Sequence, residues 1–519
     1  MQTTIGSLRT DVSRTLHPSL WERLQFAALV PRDAMLFLIS LTYRSFIWGM
    51  EWLPPRYLAW TSRIRARRAL YRASRAVPAY AQFLEGSLVR GEEAPETDKS
   101  SYIDAYSIQA RCVGGCIPAV NTTIDESSGS TGTPYNWVRS LRERRESHRF
   151  ISYFATYCFG SEPWITINAF SMGAWATGTN MGIALQRNGI VKNTGPDIAK
   201  ILSTLAFMGP GHGYLILGYP PFLKQIMDEA EKQRFPLHDY HLDALVGGEG
   251  MSEGLRDYLK RRFQKVYSGY GATDLELGIA GETPISVAIR RLAAERPDLR
   301  SRLFGADSRL PMVFQYNPLM HFVEVNADRE LVFTITRSSL LSPRVRYNVH
   351  DEGGILRYDE MAEALAAVGV DIERLVSAAG SHNMRLPFLW VYGRRDFTMS
   401  VMGANIYPED VEQCLYAEPD LARITRSFCQ RLAETPNGGV RPCFMFEVDA
   451  EPDEALTQQF ATSILARLLV LNADFRAAWT ECPETLVPQV ELYRLGEGPF
   501  QTTQGQIKQI RLAKPLSRC

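Results

Sequence analysis

The sequence predicts an α/β protein with a large N-terminal domain containing βαβ units and a small C-terminal α/β domain. At 519 residues, the chain is longer than one hydrophobic core ordinarily organises. Short apolar runs alternate with longer helical patterns, and glycine-rich turns separate them. Beyond residue 396 the composition is that of a second compact α/β unit. We therefore expect a helical extension over residues 1–64, a larger domain over 65–395 and a smaller domain over 396–519.

The alternation of strand and helix is clearest in the middle of the larger domain. Strands are predicted at residues 214–217, 242–246, 265–267 and 330–336. Pro221 suits the first turn of a helix over 222–232, and Ser252 suits the N-cap of the next helix. The repeated order of strand, glycine-rich turn and helix predicts a parallel sheet. Ligands of such sheets bind beyond the carboxyl ends of the strands, where these turns fall.

The N-terminal extension carries a strongly apolar run at residues 34–43 (AMLFLISLTY). This run is too short to span a bilayer. Together with the neighbouring apolar residues Phe46, Ile47, Trp48 and Trp52 it predicts an amphipathic helix. The helix would pack against its own domain or against a partner subunit in a homodimer, or it would lie on a membrane surface.

Charge and cysteine content exclude some classes of function. Lys and Arg number 57, as do Asp and Glu, so the chain carries no electrostatic footprint for nucleic acid. A local basic run at 139–149 is interrupted by Glu143 and Glu146, which predicts a solvated helix with ion pairs along it. Eight cysteines in so long a chain do not form a disulfide framework, and the N-terminus has no secretory pattern. We expect a reducing, cytoplasmic compartment.

The run 127–134 (SSGSTGTP) interleaves hydroxyl side chains with glycines. Glycine lets a backbone come close to a ligand, and Ser and Thr supply donors that can follow phosphate oxygens. A Walker loop has Lys and then Ser or Thr after its second glycine, whereas Thr133 and Pro134 stand here. The alternative is an ordinary Ser/Gly-rich surface loop. The candidate phosphate-binding residues are Ser127, Ser128, Gly129, Ser130, Thr131 and Gly132.

Further motifs follow this run in a fixed order. They are residues 270–274 (YGATD), 346–351 (RYNVHD), 393–396 (GRRD) and 403–409 (GANIYPE). With the Ser/Gly run, they make residues 65–513 resemble the adenylate-forming (ANL) superfamily of acyl-CoA synthetases, luciferases and peptide-synthetase adenylation domains. The upstream phrases within 70–80 and at 95–99 (PETDK) are most similar to the phenylacetate-CoA ligase branch.

The resemblance implies a ligase that activates a carboxylic acid, aryl or acyl, with ATP and Mg²⁺. The carboxylate attacks the α-phosphate of ATP, giving an acyl-AMP and pyrophosphate, and coenzyme A then accepts the acyl group. Because carboxylate and triphosphate repel each other, such a site needs prearranged donors, Mg²⁺ and an acidic metal ligand. Acyl transfer to an amine or a carrier protein, and transfer of AMP itself, are alternatives. An alternative of another class is a nucleotide-binding scaffold that has lost catalytic lysines.

The resemblance also implies roles for the charged residues in these motifs. Thr273 would contact the α-phosphate, and Asp274 would hold Mg²⁺, with Glu276 as a possible substitute. Glu is usual at the position of Asp274. Asp351 would accept hydrogen bonds from both ribose hydroxyls, because a carboxylate offers two acceptor oxygens to a vicinal diol. Arg394 would make a second contact to ribose or phosphate.

Two less polar sets complete the implied site. The adenine slot would be formed by Gly248, Glu249, Tyr270 and Gly271. The acyl pocket would be lined by Phe170, Met172, Trp175 and Gly247. The pocket residues are equally compatible with an ordinary core.

The lysines depart from the family pattern. Family phosphate loops carry a Lys near their end, where residues 133–136 (TPYN) stand here. The C-terminal catalytic Lys of the family commonly follows a Gly, but Gly505 is followed by Gln506. Lys508 is therefore our candidate for that role, with a solvated surface lysine as the alternative. The resemblance further implies that the smaller domain rotates about a hinge at Asp396.

Overall fold

The computed structural model describes residues 18–89, 94–127, 135–174, 176–305, 307, 309–380, 382–394, 399–401, 404–434, 440–481 and 483–501. The predictions for Ser128, Gly129, Ser130, Thr131, Gly132, Trp175, Asp396 and Lys508 lie outside these residues, as does the side chain of Arg394.

Four helices precede the first strand in the described chain. They are α1 (Leu20–Ile39), α2 (Tyr43–Trp52), α3 (Pro55–Ala76) and α4 (Pro78–Val89). Ser19 begins α1 with a capping box, in which its side chain accepts from the Glu22 backbone N–H. A turn at residues 40–42 divides the predicted amphipathic segment between α1 and α2. Phe46 and Ile47 of α2 are buried in one apolar cluster with residues of the larger domain, so the extension packs on that domain.

An antiparallel hairpin flanks the Ser/Gly run. Its strands are β1 (Thr122–Glu126) and β2 (Asn136–Ser140), and α5 (Leu141–Phe159) follows directly. Ion pairs along α5 were predicted, and one is present between Arg142 and Glu146 at 3.4 Å. The prediction of a solvated helix is wrong for the other face of α5, because Glu143 and His148 are buried.

The parallel half of the central sheet has the predicted order of elements. Its strands are β3 (Trp164–Asn168), β4 (Gly189–Asn193), β5 (Gly213–Gly218), β6 (His241–Gly247) and β7 (Val266–Ala272). The helices between them are α6 (Ala176–Leu185), α7 (Ile198–Met208), α8 (Pro220–Lys232) and α9 (Glu253–Leu259). Pro221 lies in the first turn of α8, and the Ser252 side chain caps α9 by accepting from Leu255 N–H. The predicted βαβ units are confirmed, since these strands pair in parallel in the order β4-β3-β5-β6-β7.

Beyond β7 the sheet becomes antiparallel. The added strands are β8 (Glu276–Gly281), β9 (Met312–Tyr316), β10 (His321–Val325), β11 (Glu330–Ile335), β12 (Tyr347–Leu356) and β13 (Phe388–Arg394). Helices α10 (Pro284–Glu295), α11 (Pro297–Phe304), α12 (Tyr358–Ala366) and α13 (Ile372–Ala378) cover them. The order continues as β7-β8-β9-β13-β12-β11-β10, so this sheet has 11 strands among the described residues. Both β7 and β12 thus belong to one mixed sheet, with β8, β9 and β13 between them.

The smaller domain has its own core, as predicted. Its elements are β14 (Met399–Val401), β15 (Ala404–Ile406), α14 (Pro408–Tyr416), α15 (Pro419–Ile424), β16 (Thr425–Glu434), β17 (Val440–Val448), α16 (Glu454–Leu471), α17 (Ala473–Glu481), α18 (Pro483–Leu486) and β18 (Gln489–Tyr493). Phe444, Phe446 and Phe460 are fully buried in a cluster formed by this part of the chain. The α/β fold with a large and a small domain is therefore confirmed.

The two domains touch along α9 and α14. A Cβ added to Gly254 of α9 would lie 2.7 Å from the Cβ of Tyr416 on α14, so the helices approach very closely. The Ser252 backbone N–H donates to Glu412 Oε2 at 2.9 Å. A second contact lies at α8, where Lys224 Nζ donates to the Thr425 carbonyl at 2.9 Å.

Among the described residues, no helix combines the length and the apolar character needed to cross a bilayer.

Candidate active site

Two predicted nucleotide-binding residues meet between β7 and β12. The Tyr270 hydroxyl donates to Asp351 Oδ2 at 2.6 Å. The Tyr270 ring packs on Phe314, with 5.6 Å between ring centroids, which fixes its plane. Asp351 also lies opposite Arg394 in the pairing of β12 with β13. The fold therefore brings together three segments that are far apart in the sequence.

The protonation state of Tyr270 follows from this contact. Burial, and then the neighbouring Asp351 carboxylate, hold the pKa of Tyr270 well above its usual value. The phenol therefore remains a donor at neutral pH. One oxygen of Asp351 is oriented by Tyr270, so the carboxylate presents a fixed edge at the carboxyl end of β7.

The glycines at the end of β6 form a narrow corner. Gly248 has φ +85°, and a Cβ there would lie 2.6 Å from Cε1 of Tyr219. A Cβ on Gly247 would lie 3.0 Å from the Gly269 carbonyl oxygen. Phe170 meets the same Tyr219 ring edge-on, with centroids 5.4 Å apart. Phe170 and Gly248 thus both contact the Tyr219 ring, and Gly247 lies against the backbone of β7.

The structure also describes the predicted residues Glu249, Met172 and Gly271. Glu249 follows Gly248 and is half-buried. Met172 is also half-buried, and a Cβ on Gly178 of α6 would lie 3.1 Å from its sulfur. Gly271 lies in β7, where a Cβ would be 3.0 Å from the Glu276 carbonyl oxygen.

Thr273 and Asp274 form the turn between β7 and β8, and buried arginines hold its backbone. Arg139 Nη2 donates to the Thr273 carbonyl at 2.7 Å, and Arg344 Nε donates to the Asp274 carbonyl at 2.6 Å. The Tyr347 hydroxyl donates to Asp274 Oδ2 at 3.2 Å. The turn is therefore rigid, and it lies in a region of positive charge.

Lys99 is a site residue that the sequence analysis did not assign. Its Nζ lies 3.1 Å from Asp274 Oδ2 and 5.4 Å from the ring centroid of Tyr135. Asp98 caps the single helical turn Lys99–Ile103 by accepting from Ser101 N–H. The signal that could have found Lys99 was the PETDK phrase at 95–99, which was used only to choose a branch of the family.

The stem of the Ser/Gly run lies at the same place. Ser127 N–H donates to the Tyr135 carbonyl, and Tyr135 N–H donates to Ser127 Oγ, both at 2.9 Å. These bonds close the ends of the run on each other. Because Lys99 contacts both Tyr135 and Asp274, it links the stem of the run to the turn after β7.

Glu276 belongs to a separate buried network. Its carboxylate pairs with Arg337 and with His321. Burial alone would raise its pKa, but Arg337 and then His321 outweigh burial and lower the pKa of Glu276 to about 2. A carboxylate neutralised by two such partners is a poorer metal ligand than Asp274, whose partners are a half-exposed lysine and a phenol.

The acidic side chains near the turn do not form a closed metal cage. No group of three or more His, Cys, Asp or Glu able to hold a metal occurs among the described residues. This fits Mg²⁺, which is usually held by one or two carboxylates together with substrate phosphates and water. Asp274 is the side chain that would supply the carboxylate.

The fold matches that of solved adenylate-forming ligases. No family model matches the chain, and no curated protein matches its sequence. The structure of 2-hydroxyisobutyryl-CoA ligase in the postadenylation state with 2-HIB-AMP matches with a TM-score of 0.63 and 14% identity, over 90% of this chain and 92% of that chain. The same ligase with R3-HIB-AMP gives a TM-score of 0.62 at 13% identity over the same shares. This chain has the fold of an adenylate-forming CoA ligase.

The adenylate-forming fold is matched less well by another state of the same ligase. In the thioesterification state, with 2-HIB-AMP and CoA, the TM-score is 0.51 over 90% of this chain and 91% of that chain. Coverage and identity are nearly unchanged, so the overall arrangement of this chain is closer to the postadenylation state. Placement within the phenylacetate-CoA ligase branch stays a prediction.

Proposed function

We propose that this protein activates a carboxylic acid with ATP through an acyl-adenylate and then transfers the acyl group to coenzyme A. The observation that carries the proposal is the position of Lys99. It joins Asp274, the candidate metal ligand, to Tyr135 at the stem of the Ser/Gly run. The fold supports the same conclusion, because the ligases that match it were solved with acyl-AMP bound.

In this proposal each cluster has one task. The Ser/Gly run and Lys99 bind the β- and γ-phosphates, and Lys99 supplies the positive charge that residues 133–136 lack. Arg139 and Arg344 fix the turn, so that Thr273 meets the α-phosphate without reorganisation. Asp351, oriented by Tyr270, accepts from the ribose hydroxyls. The carboxylate of the acid then attacks the α-phosphorus, and pyrophosphate leaves.

Magnesium and the smaller domain enter the proposal as follows. Asp274 would hold Mg²⁺, which when bound neutralises phosphate charge; Glu276 supports the turn from its ion pairs. Lys508 would approach the α-phosphate, and rotation about Asp396 would then expose the acyl-AMP to coenzyme A.

The test is acid-dependent exchange of pyrophosphate into ATP. We expect Lys99→Ala to lower exchange on the order of 10²-fold, the usual effect of removing one charge-stabilising donor. Lys99→Arg, which keeps the charge, should retain more activity. Lys200→Ala is the matched control, since Lys200 is an exposed lysine on α7 that pairs with Asp197.

The outcomes separate the alternatives. Exchange in the wild type that does not change in Lys99→Ala would remove Lys99 from the phosphate site. No exchange with any acid, together with ATP binding, would indicate a nucleotide-binding scaffold. Release of an amide rather than a CoA thioester would identify an amine as the acceptor.

We also propose that the N-terminal extension contacts an anionic membrane surface. All acidic residues of the described extension are in ion pairs: Glu22 with Arg67, Asp33 with Arg65 and Arg68, and Glu51 with His382. The exposed side chains of the described extension include apolar and cationic residues, for example Trp48, Trp52 and Arg44. Tryptophan and arginine at the edge of an apolar face suit a negatively charged lipid interface better than a second copy with the same positive charge.

A further inference from the structure

A small cavity opens beside Thr273, between α5, α6 and the start of β8. In its lining, polar side chains outnumber apolar ones. The polar side chains used in the argument are Asp125, Arg139, Glu143, Arg144, His148 and Asn180. All but Arg144 are nine-tenths or more buried.

Three of these side chains are held in one orientation. Asn180 Oδ1 accepts from Arg144 Nε at 2.9 Å and lies 2.8 Å from His148 Nε2. The Asn180 amide donates to the Ala176 carbonyl at 2.6 Å. Burial lowers the pKa of His148, so the imidazole is neutral at pH 7 and presents a second nitrogen for hydrogen bonding. The wall formed by α5 and α6 is therefore preorganised.

Arg139 has unused hydrogen-bonding capacity at this cavity. It is 5% exposed, and its Nη2 donates to the Thr273 carbonyl. Its Nη1 has no hydrogen-bond partner among the described residues, and the nearest carboxylate oxygen in an ion pair, Glu143 Oε1, lies 3.8 Å away. A buried donor left unsatisfied costs about 1–3 kcal/mol. A ligand that brings an acceptor oxygen to Nη1 recovers that cost.

We propose that this cavity binds the side chain of the acid substrate, and that the acid is small and carries a hydroxyl group. The proposal rests on the proposed function, because it is Thr273 that joins the cavity to the α-phosphate. A hydroxyl can accept from Arg139 and donate to the carboxylate of Asp125 or Glu143. An unsubstituted aryl or fatty chain leaves these buried groups unpaired, and sites of this kind reject such analogues strongly.

The experiment compares matched acids in the pyrophosphate exchange assay. The pairs are 3-hydroxybutanoate against butanoate and 2-hydroxypropanoate against propanoate, because a cavity of about 30 Å³ has no room for an aromatic ring. We expect kcat/KM for the preferred hydroxy acid to exceed that of its partner by roughly tenfold or more. Asn180→Leu and His148→Phe should each reduce this ratio towards one. Arg142→Ala is the control, because Arg142 lies exposed on the same helix and should leave the ratio unchanged.

Calorimetric titration of the same pairs measures the cavity without turnover. The inference is supported if the wild type binds a hydroxy acid more tightly than its unsubstituted partner and both variants lose this difference. This holds even if one variant is too unstable for kinetic measurements. Equal or tighter binding of butanoate and propanoate overturns it, whatever the exchange rate. Binding of a hydroxy acid with no exchange overturns the proposed function and leaves the cavity assignment standing.

Discussion

Tyr270 and Asp351 lie on different strands of one sheet and share a hydrogen bond of 2.6 Å from phenol to carboxylate. The bond spans 81 residues of sequence and depends on the order in which β8, β9, β13 and β12 follow β7. Because burial keeps Tyr270 protonated, the phenol orients Asp351 at neutral pH. The edge of Asp351 that would meet a ribose is therefore fixed before nucleotide binds.

Tyr270→Phe removes this orientation while keeping the ring. Hydrogen bonds to charged groups contribute about 1.5–3 kcal/mol, so we expect ATP affinity to fall by roughly tenfold or more. Asp351→Asn should weaken ATP binding further, and neither change should alter affinity for the acid. Calorimetry with ATP measures both effects. Tyr214→Phe is the control, since its hydroxyl contacts the Gly209 carbonyl outside the site. Unchanged ATP affinity in Tyr270→Phe would contradict the role given to this pair.

The lowered pKa of Glu276 makes the free energy of unfolding depend on pH in the acid range. Its pKa is lowered from 4.5 to about 2 in the folded state, so its contribution is complete above pH 4.5 and is lost as pH falls towards 2. At 1.36 kcal/mol per pKa unit the contribution is about 3 kcal/mol. Glu276→Gln should lower the free energy of unfolding at pH 7 and flatten its dependence on pH below 4.5. Denaturant unfolding from pH 7 to pH 3 measures this, with the exposed Glu162→Gln as control. If the dependence of the free energy of unfolding on pH below 4.5 is the same in Glu276→Gln, groups other than Glu276 determine it.

The absence of a side chain at Gly254 allows the close contact between the two domains. A Cβ at this position would lie 2.7 Å from Tyr416 Cβ, so Gly254→Ala must move α9 and α14 apart. We expect a larger radius of gyration by solution scattering and faster proteolysis between the domains. Adenylation should fall more than acyl transfer from supplied acyl-AMP. Gly211→Ala is the control, because nothing lies within 4 Å of a Cβ there. Equal loss of both half-reactions would argue that this contact does not favour one of them.

The exposed tryptophans of the extension predict binding to lipid. Trp48 and Trp52 are 58% and 71% exposed. Replacing both with Ser should change the free energy of unfolding by no more than about 0.5 kcal/mol. It should also abolish co-sedimentation with phosphatidylserine vesicles and leave exchange activity intact. Phe207→Ser, at an exposed apolar residue outside the extension, is the control. If the molecular mass of the protein in solution rises with protein concentration and the protein does not bind vesicles, the partner of the extension is a second copy of the chain instead.

The parallel half of the fold could be predicted because its signals are local. An apolar run, a glycine turn and a helix cap lie within a few residues of each other, as at Ser252. The antiparallel strands β8 to β13 could not be ordered in this way, since their pairing depends on contacts between distant segments. Composition also could not show that Arg139 and Glu143 are buried while Arg142 is exposed, because all three belong to one charged run.

The candidate site divides in the same way. Tyr270, Asp274 and Asp351 carry motifs that can be read locally, and the fold brings them to one region. Lys99 and Arg139 act there through contacts across 175 and 134 residues of sequence. The spacing of residues in a sequence motif cannot predict contacts between segments so far apart in the chain. Side-chain type alone could not separate Glu276, which resembles a metal ligand in sequence, from a buried ion-pair partner.

The hydrogen bonds between Ser127 and Tyr135 allow the sequence between these two residues to be exchanged while its ends stay in place. Two backbone-directed hydrogen bonds fix both ends of the run. Loop-closure entropy rises slowly, and doubling the length of a loop costs only about 0.6 kcal/mol. An insertion between the two residues therefore has only a small cost in loop-closure entropy, because the hydrogen bonds that fix the two ends are kept. The run can be randomised and selected for new phosphate or leaving-group preferences without redesigning the scaffold beneath it.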